Sequence, residues 1–263
     1  MSGYVFLPRK KNLTRSTWLR FTIHNFHHPT IMPIKSNEPI VILIPAKNEV
    51  NTVGKIVSTI KTRLGLQVIV IDDASTDKTA NKARAAGAIV LPLPFSLGAW
   101  GAIQTGLRYA FKHGFNTAIT MDADGQHRAD SIPTLLAPLA SGQCDVVIGA
   151  YPQRGSFLRR FAWSFFRFVS GVTLSDLTSG LRAYNRTAIK LLASPDATLL
   201  DYQDMGVLIL LHKAKLHISE IPILMYPRVD GHSRIFSSWW AVIQYMLHTG
   251  ILCLARFKHN KKL

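Results

Sequence analysis

The runs Ile40 to Ile44 (IVILI), Gln67 to Ile71 (QVIVI), Thr117 to Met121 (TAITM) and Asp145 to Gly149 (DVVIG) are short, mostly apolar and rich in β-branched residues. They lack the in-and-out alternation of a half-exposed strand. A strand that is apolar on successive residues must be covered on both faces, and a sheet achieves this with helices on either side. The intervening segments have helical character. Val53, Ile56, Ile60 and Leu64 recur at helical spacing and are closed by Gly65, while KTANKARAAG and GAWGAIQTGLRYAFKHG supply two more helices around the strand-like AIVLPL. Strands alternating with helices imply right-handed crossovers and a mostly parallel sheet, that is, an α/β fold. With 263 residues, 48% of them hydrophobic, the chain is long enough to bury one sizeable core.

Sheets of this kind bind ligands beyond the carboxyl ends of their strands. Those ends read PAKNE, DDASTD and DADGQH, and each carries acids. Asp122 and Asp124, at i and i+2, point to one side of an extended backbone and suit a hard divalent cation such as Mg²⁺ or Mn²⁺. A buried pair without a cation would repel, so protonation or a cation must relieve it. A solvated turn with helix-capping aspartates remains the plain alternative for an isolated D-x-D. Glu49, Asp72 and Asp73 border the same crevice and offer acceptors for ribose hydroxyls or base N–H groups, whereas Asp77 reads as a helix cap.

The formal charge of +16 directs the surface toward phosphate, in nucleotides, nucleic acid or anionic lipid. Acids at three strand ends would repel a nucleic acid backbone unless a cation intervened, so no nucleic acid partner is expected. A nucleotide-dependent dehydrogenase is disfavoured because its first strand should run into a glycine fingerprint rather than PAKNE. SLGAWGAIQTG matches neither G-x-G-x-x-G nor G-x-x-x-x-G-K-[ST], and reads as close helix packing with some lining of the site. Cys144 and Cys253 form no metal-ligand spacing and point to a reduced, cytosol-facing protein. His24, His27 and His28 make no convincing zinc site.

VILIPAKNE, VIVIDDASTD, MDADGQH, SDLTSGLRAYNR and EIPI with RVDGHSR stand in the order and approximate spacing of family-2 glycosyltransferases. The chain most resembles the dolichyl- or polyprenyl-phosphate mannosyltransferase and glucosyltransferase branch, over about Pro39 to Arg234. That resemblance implies a GT-A nucleotide-binding fold, a mostly parallel mixed sheet covered by helices. It implies a nucleotide-diphosphate sugar donor, of GDP-mannose or UDP-glucose type, and Mg²⁺ or Mn²⁺. By resemblance, Pro45, Lys47 and Glu49 line the nucleotide pocket, and Ile71 and Asp73 hold base and ribose. Asp122, Asp124 and Gln126 take the cation and diphosphate positions, with Ala123 packed beside the nucleotide. Arg228 and Arg234 approach the donor diphosphate and complete the expected catalytic set with Asp124. Ser179 and Arg182 fall where the branch meets the acceptor phosphate.

Two departures stand out. Relatives often have Gly-Ser-Arg where this chain reads Gly149-Ala150-Tyr151, with Arg154 nearby, and an aromatic residue where Lys47 stands. The implied reaction is inverting transfer of a hexose to polyprenyl or dolichyl phosphate. A lipid phosphate is already anionic, so alignment and cation-assisted departure suffice without a general base. A glycan or protein acceptor, or a non-catalytic phosphate- or nucleic-acid-binding relative, remains the alternative.

The expected organisation is a basic arm over 1–38, a catalytic domain over 39–235 and an apolar-basic segment over 236–263. The arm lacks the apolar run of a secretory signal and reads as a surface or membrane arm or as a transit peptide. In a helix over 157–172, Phe157, Phe161, Phe165, Phe168 and Val172 form one stripe flanked by Arg160, Arg167 and Trp163. This suits either an amphipathic membrane-interface helix or a core helix with snorkelling arginines. Trp239 to Ala255 includes Gln244 and His248 and falls short of the roughly 20 apolar residues of a span. Peripheral or monotopic attachment at the cytoplasmic face of a membrane is therefore expected, with RFKHNKKL held there by charge.

Overall fold

Covering both faces of the apolar strands is what the structure does. It is a computed structural model that describes residues 39–151, 174–176, 178–198 and 205–226. The basic arm, the 157–172 stripe and the 236–263 segment lie outside the described residues. Strand β1 (Ile40–Ala46) leads to α1 (Val53–Leu64), β2 (Gln67–Asp72), α2 (Thr79–Ala85), β3 (Ile89–Pro92), α3 (Gly98–Lys112) and β4 (Thr117–Thr120). A short turn of 3₁₀ helix then precedes α4 (Ile132–Ala140) and β5 (Val146–Ala150). The later elements are β6 (Arg182–Tyr184), α5 (Arg186–Leu192), α6 (Met205–Lys213) and β7 (Ile218–Pro222).

The seven strands form one sheet in the order β3-β2-β1-β4-β6-β5-β7. Only β6 is reversed, pairing antiparallel with both β4 and β5. The first strand shows how the sequence divides between two layers. Val41 and Leu43 join Trp100, Ile103 and Leu107 of α3 on one face. Ile42 and Ile44 join Val53, Val57 and Ile60 of α1 and Leu135 of α4 on the other. A one-residue slip would exchange the two sets, so register is strongly specified.

Helix α3 lies so close to the sheet that a Cβ on Gly106 would come within 2.8 Å of Ile71 Cδ1 and 3.3 Å of Leu43 Cδ1. The glycine-rich stretch thus serves close packing, as expected from its sequence. Gly106→Val should cost about 1–3 kcal/mol by overpacking, read as a lower urea midpoint with an unchanged slope. No helix among the described residues is long and apolar enough to cross a membrane.

Reversing β6 has a positional consequence. The strand begins at the edge where β1, β2, β4 and β5 end, so the SDLTSG segment preceding it enters the crevice beside the acidic tails.

Candidate active site

The loop after β1 and the loop after β2 are laced together. Asn48 adopts φ 55°, a left-handed conformation that Asn tolerates better than most residues. Its side-chain oxygen accepts from Thr76 N at 2.8 Å, and its own N donates to Ser75 Oγ at 2.9 Å. Glu49 N donates to Thr79 Oγ1 at 2.8 Å. Asp77 Oδ1 accepts from Thr79 N, the first residue of α2, in keeping with a capping role, while Oδ2 accepts from Val50 N at 3.3 Å.

Burial raises the Asp77 pKa, but hydrogen bonds from the Thr79 side chain, Thr79 N, Val50 N and its own N prevail and hold it below the ordinary carboxylate value. A depressed folded pKa contributes stability that is present above the unfolded value and lost as pH falls through the folded one. The melting-temperature gap between wild type and Asp77→Ala should therefore be small but present at pH 7, and should close under acid.

Pro45 fits within β1 because its missing N–H faces past the end of a neighbour. Leu43 O, on the β4 side, accepts from Met121 N, and the β1–β4 pairing stops at Leu43 and Thr120. On the β2 side the pairing continues to Ala46 and Asp72.

Asp73 is 4% exposed, and its carboxylate is held at the start of α3. Oδ1 accepts from Leu97 N at 2.6 Å, and Oδ2 accepts from Gly98 N at 3.2 Å and from Ser96 Oγ at 2.7 Å. A carboxylate is favoured there by the amide groups and dipole of the helix N-terminus. Lys47 Nζ donates to Ser96 Oγ at 2.9 Å, so Ser96 links two residues that the sequence assigned to the donor pocket. Ile71 lies at the tail of β2, one residue before Asp72. Its side chain is fully buried beneath α3 against Gly106, so any part it has at a base is through its main chain.

Asp122, Ala123 and Asp124 follow directly on β4. Ala123 is 4% exposed, whereas the Asp122 side chain is 39% exposed. Asp124 Oδ1 accepts from Gln126 N at 3.1 Å, fixing the turn that Gly125 makes at φ 77°. His127 Nε2 lies 3.3 Å from Asp122 Oδ2. Opposite the turn, Tyr226 N donates to Gln126 O at 2.8 Å, His127 bridges Met225, and the Arg128 guanidinium lies 5.3 Å from the Tyr226 ring centroid. The turn is therefore tied to the segment that leads into RVDGHSR. Arg228 and Arg234 themselves lie outside the described residues.

Gly180 closes the other side of Asp122: a Cβ there would collide with both carboxylate oxygens. Thr120 Oγ1 donates to Gly180 O at 2.9 Å and holds that approach. The loop before Gly180 is clamped by acids. Glu220 accepts from Ser175 N and Asp176 N at 2.7 and 2.9 Å, and Asp176 accepts from Tyr151 N and Thr178 N, both at 3.1 Å. Ser179 and Arg182 are 1% and 0% exposed. Ser179 Oγ donates to Gly149 O at 2.5 Å and Arg182 Nε to Ser179 O at 2.8 Å, so their described bonds brace this loop. Cys144 is buried, and burial followed by the Asp145 charge raises its thiol pKa, in keeping with a packing role.

Sequence reading missed Ser96, His127, Gly180, Asp176 and Glu220. His127, Gly180, Asp176 and Glu220 stand in the MDADGQH, SDLTSGLRAYNR and EIPI blocks, but their importance depends on contacts that no linear spacing shows. Among the described residues no three His, Cys, Asp or Glu side chains form a ready metal cage. The half-exposed carboxylate of Asp122, with Asp124 two residues on, nevertheless fits a hard cation that keeps several positions for ligand oxygens.

The model of glycosyl transferase family 2 matches residues 41–192. The UDP-N-acetylglucosamine–dolichyl-phosphate N-acetylglucosaminyltransferase of Methanococcus voltae is 28% identical over 212 residues, covering 70% of this chain and 84% of its own. The undecaprenyl-phosphate mannosyltransferase of Micrococcus luteus is 28% identical over 219 residues, covering 74% and 87%. Among solved structures, glucosyl-3-phosphoglycerate synthase from Mycobacterium tuberculosis in complex with Mn²⁺, UDP-glucose and phosphoglyceric acid superposes with a TM-score of 0.64. It is 21% identical, covering 82% of this chain and 80% of that one. The fold is thus the GT-A fold, and the chain belongs to glycosyl transferase family 2 and is a glycosyltransferase.

Proposed function

We propose that the protein transfers a hexose, with inversion, from a nucleoside-diphosphate sugar to a polyprenyl or dolichyl phosphate presented at the cytoplasmic face of a membrane. The observation that carries this reading is the meeting of two motifs at one carboxylate. Asp122, at the tail of a donor-side strand, is backed by Gly180 of the SDLTSGLR block. The sugar transferases from M. voltae and M. luteus, named for dolichyl phosphate and undecaprenyl phosphate, support the acceptor class.

In this reading the crevice between the β1 and β2 tails takes the nucleotide, with Lys47, Glu49 and Asp73 on its walls. Asp122 and Asp124 hold Mg²⁺ or Mn²⁺, with Gln126 beside them. A cation there supplies charge neutralisation for the departing diphosphate. By the family resemblance, Arg228 and Arg234 of the RVDGHSR block add positive charge toward the donor diphosphate. The SDLTSGLR segment, with Ser179 and Arg182, frames the acceptor side. A lipid phosphate oxygen attacks the anomeric carbon as the bond to the diphosphate oxygen breaks; both are anions, so no proton has to be removed.

The test is incubation of the purified protein with Mg²⁺ or Mn²⁺, a panel of GDP- and UDP-sugars, and polyprenyl phosphate in detergent or vesicles. A lipid-linked sugar of inverted configuration supports the reading. Transfer to glycan or protein but not to lipid would replace the acceptor. No product across the panel from a folded protein would overturn it.

A further inference from the structure

We propose that His127 is the positioning residue that orients Asp122 for its cation, an inference that rests on the cation seat described above. The imidazole is wholly enclosed, with a side-chain exposure of 0%. Its Nε2 lies 3.3 Å from Asp122 Oδ2, while Nδ1 is buried without a hydrogen-bond partner among the described residues. A buried ring nitrogen without an acceptor is least costly when it carries no hydrogen, which leaves the hydrogen on Nε2, directed at the carboxylate. Among the described residues Nδ1 has no partner, while the other nitrogen is kept at the carboxylate. An apolar side chain would fill the same space without that cost.

The ring has little freedom to serve otherwise. Residue 127 is bridged to Met225, and its neighbour Gln126 accepts from Tyr226 N at 2.8 Å, so the backbone on either side of the imidazole is fixed. On the far side of the carboxylate, Gly180 presents main chain where any Cβ would collide. Asp122 is thus gripped between an imidazole and a peptide, and Asp124 is held by Gln126 N at 3.1 Å. Groups that orient metal-binding side chains in this way typically alter metal affinity 10- to 100-fold when removed.

The test measures Mn²⁺ binding to the full-length protein by electron paramagnetic resonance, with and without UDP or GDP, for wild type, His127→Leu, His127→Gln and Asp122→Ala. Glutamine places an amide donor near the position of Nε2, whereas leucine fills the space without donating. The expected result is a 10- to 100-fold weaker Mn²⁺ affinity in His127→Leu, with its melting temperature equal to or above wild type, and recovery of most of the affinity in His127→Gln. Should the leucine variant fail to fold, the glutamine variant still decides, because an affinity drop as large as that of Asp122→Ala would overturn the proposal. So would wild-type Mn²⁺ affinity in a folded His127→Leu. So would spin-echo modulation from a directly coordinated ¹⁴N in wild type, because His127 would then be a ligand itself. If Asp122→Ala binds Mn²⁺ as wild type does, the cation seat fails and not merely the role of His127.

Discussion

Asp124→Ala should lower sugar transfer by roughly 10³-fold or more while leaving the protein folded. The two effects separate by magnitude. On the stability side, the substitution removes the hydrogen bond from Gln126 N to Oδ1, a loss of about 0.5–1.5 kcal/mol. It also relieves repulsion with Asp122, two residues away. A domain with about 5–15 kcal/mol of stability survives that change. On the chemical side, a cation neutralising the leaving diphosphate is worth several kcal/mol, and about 4 kcal/mol corresponds to 10³ in rate. Product formation under saturating donor, alongside a thermal melt of the same preparation, reads both. Chelation of divalent ions should abolish wild-type transfer to a similar extent. Transfer by Asp124→Ala within threefold of wild type would remove the residue from the cation seat.

The parts of this site that could be read from sequence are those that depend on periodicity. Doubly covered strands such as Val68 to Ile71 announce themselves by an unbroken apolar run, which the structure buries throughout, and the rule that ligands gather at strand tails then directs attention to Asp73, Asp122 and Asp124. What could not be read is what β6 does. Its three residues contain a fully buried Arg182 and Tyr184, so no apolar run marks it, and its antiparallel insertion between β4 and β5 is a tertiary decision. Without β6 in place there is no reason to bring Gly180 to Asp122, or the Ser175 and Asp176 amides to Glu220. At Ile71 the sequence does not say which part of the residue faces a ligand: its side chain packs under α3 beside Gly106, which leaves its main chain for any contact at the strand tail. Ser96 was missed because it belongs to the loop after β3, where Lys47 and Asp73 converge only once the sheet has formed.

Gly180→Ala should be the most damaging single-methyl substitution in the crevice. The new Cβ meets the carboxylate of Asp122, a short side chain already engaged by His127, so little torsional freedom exists to clear it. One response is for Asp122 to rotate out of the seat. The other is for the loop to withdraw, at the expense of the 2.9 Å bond from Thr120 Oγ1 to Gly180 O and of strain on the Glu220 clamp. Either outcome misplaces a group by about 1 Å, which in an aligned displacement costs on the order of 10²-fold in rate. Overpacking adds about 1–3 kcal/mol of destabilisation. Collision with Asp122 is separable from a general intolerance of the turn by a double-mutant cycle. In an Asp122→Ala background the obstacle is gone, so adding Gly180→Ala should lower the urea midpoint far less than it does in wild type. The coupling should lie within the range of about 0.5–3 kcal/mol found for residues in contact. Equal destabilisation in both backgrounds would show that Gly180 is required by its own backbone and not by the carboxylate it faces.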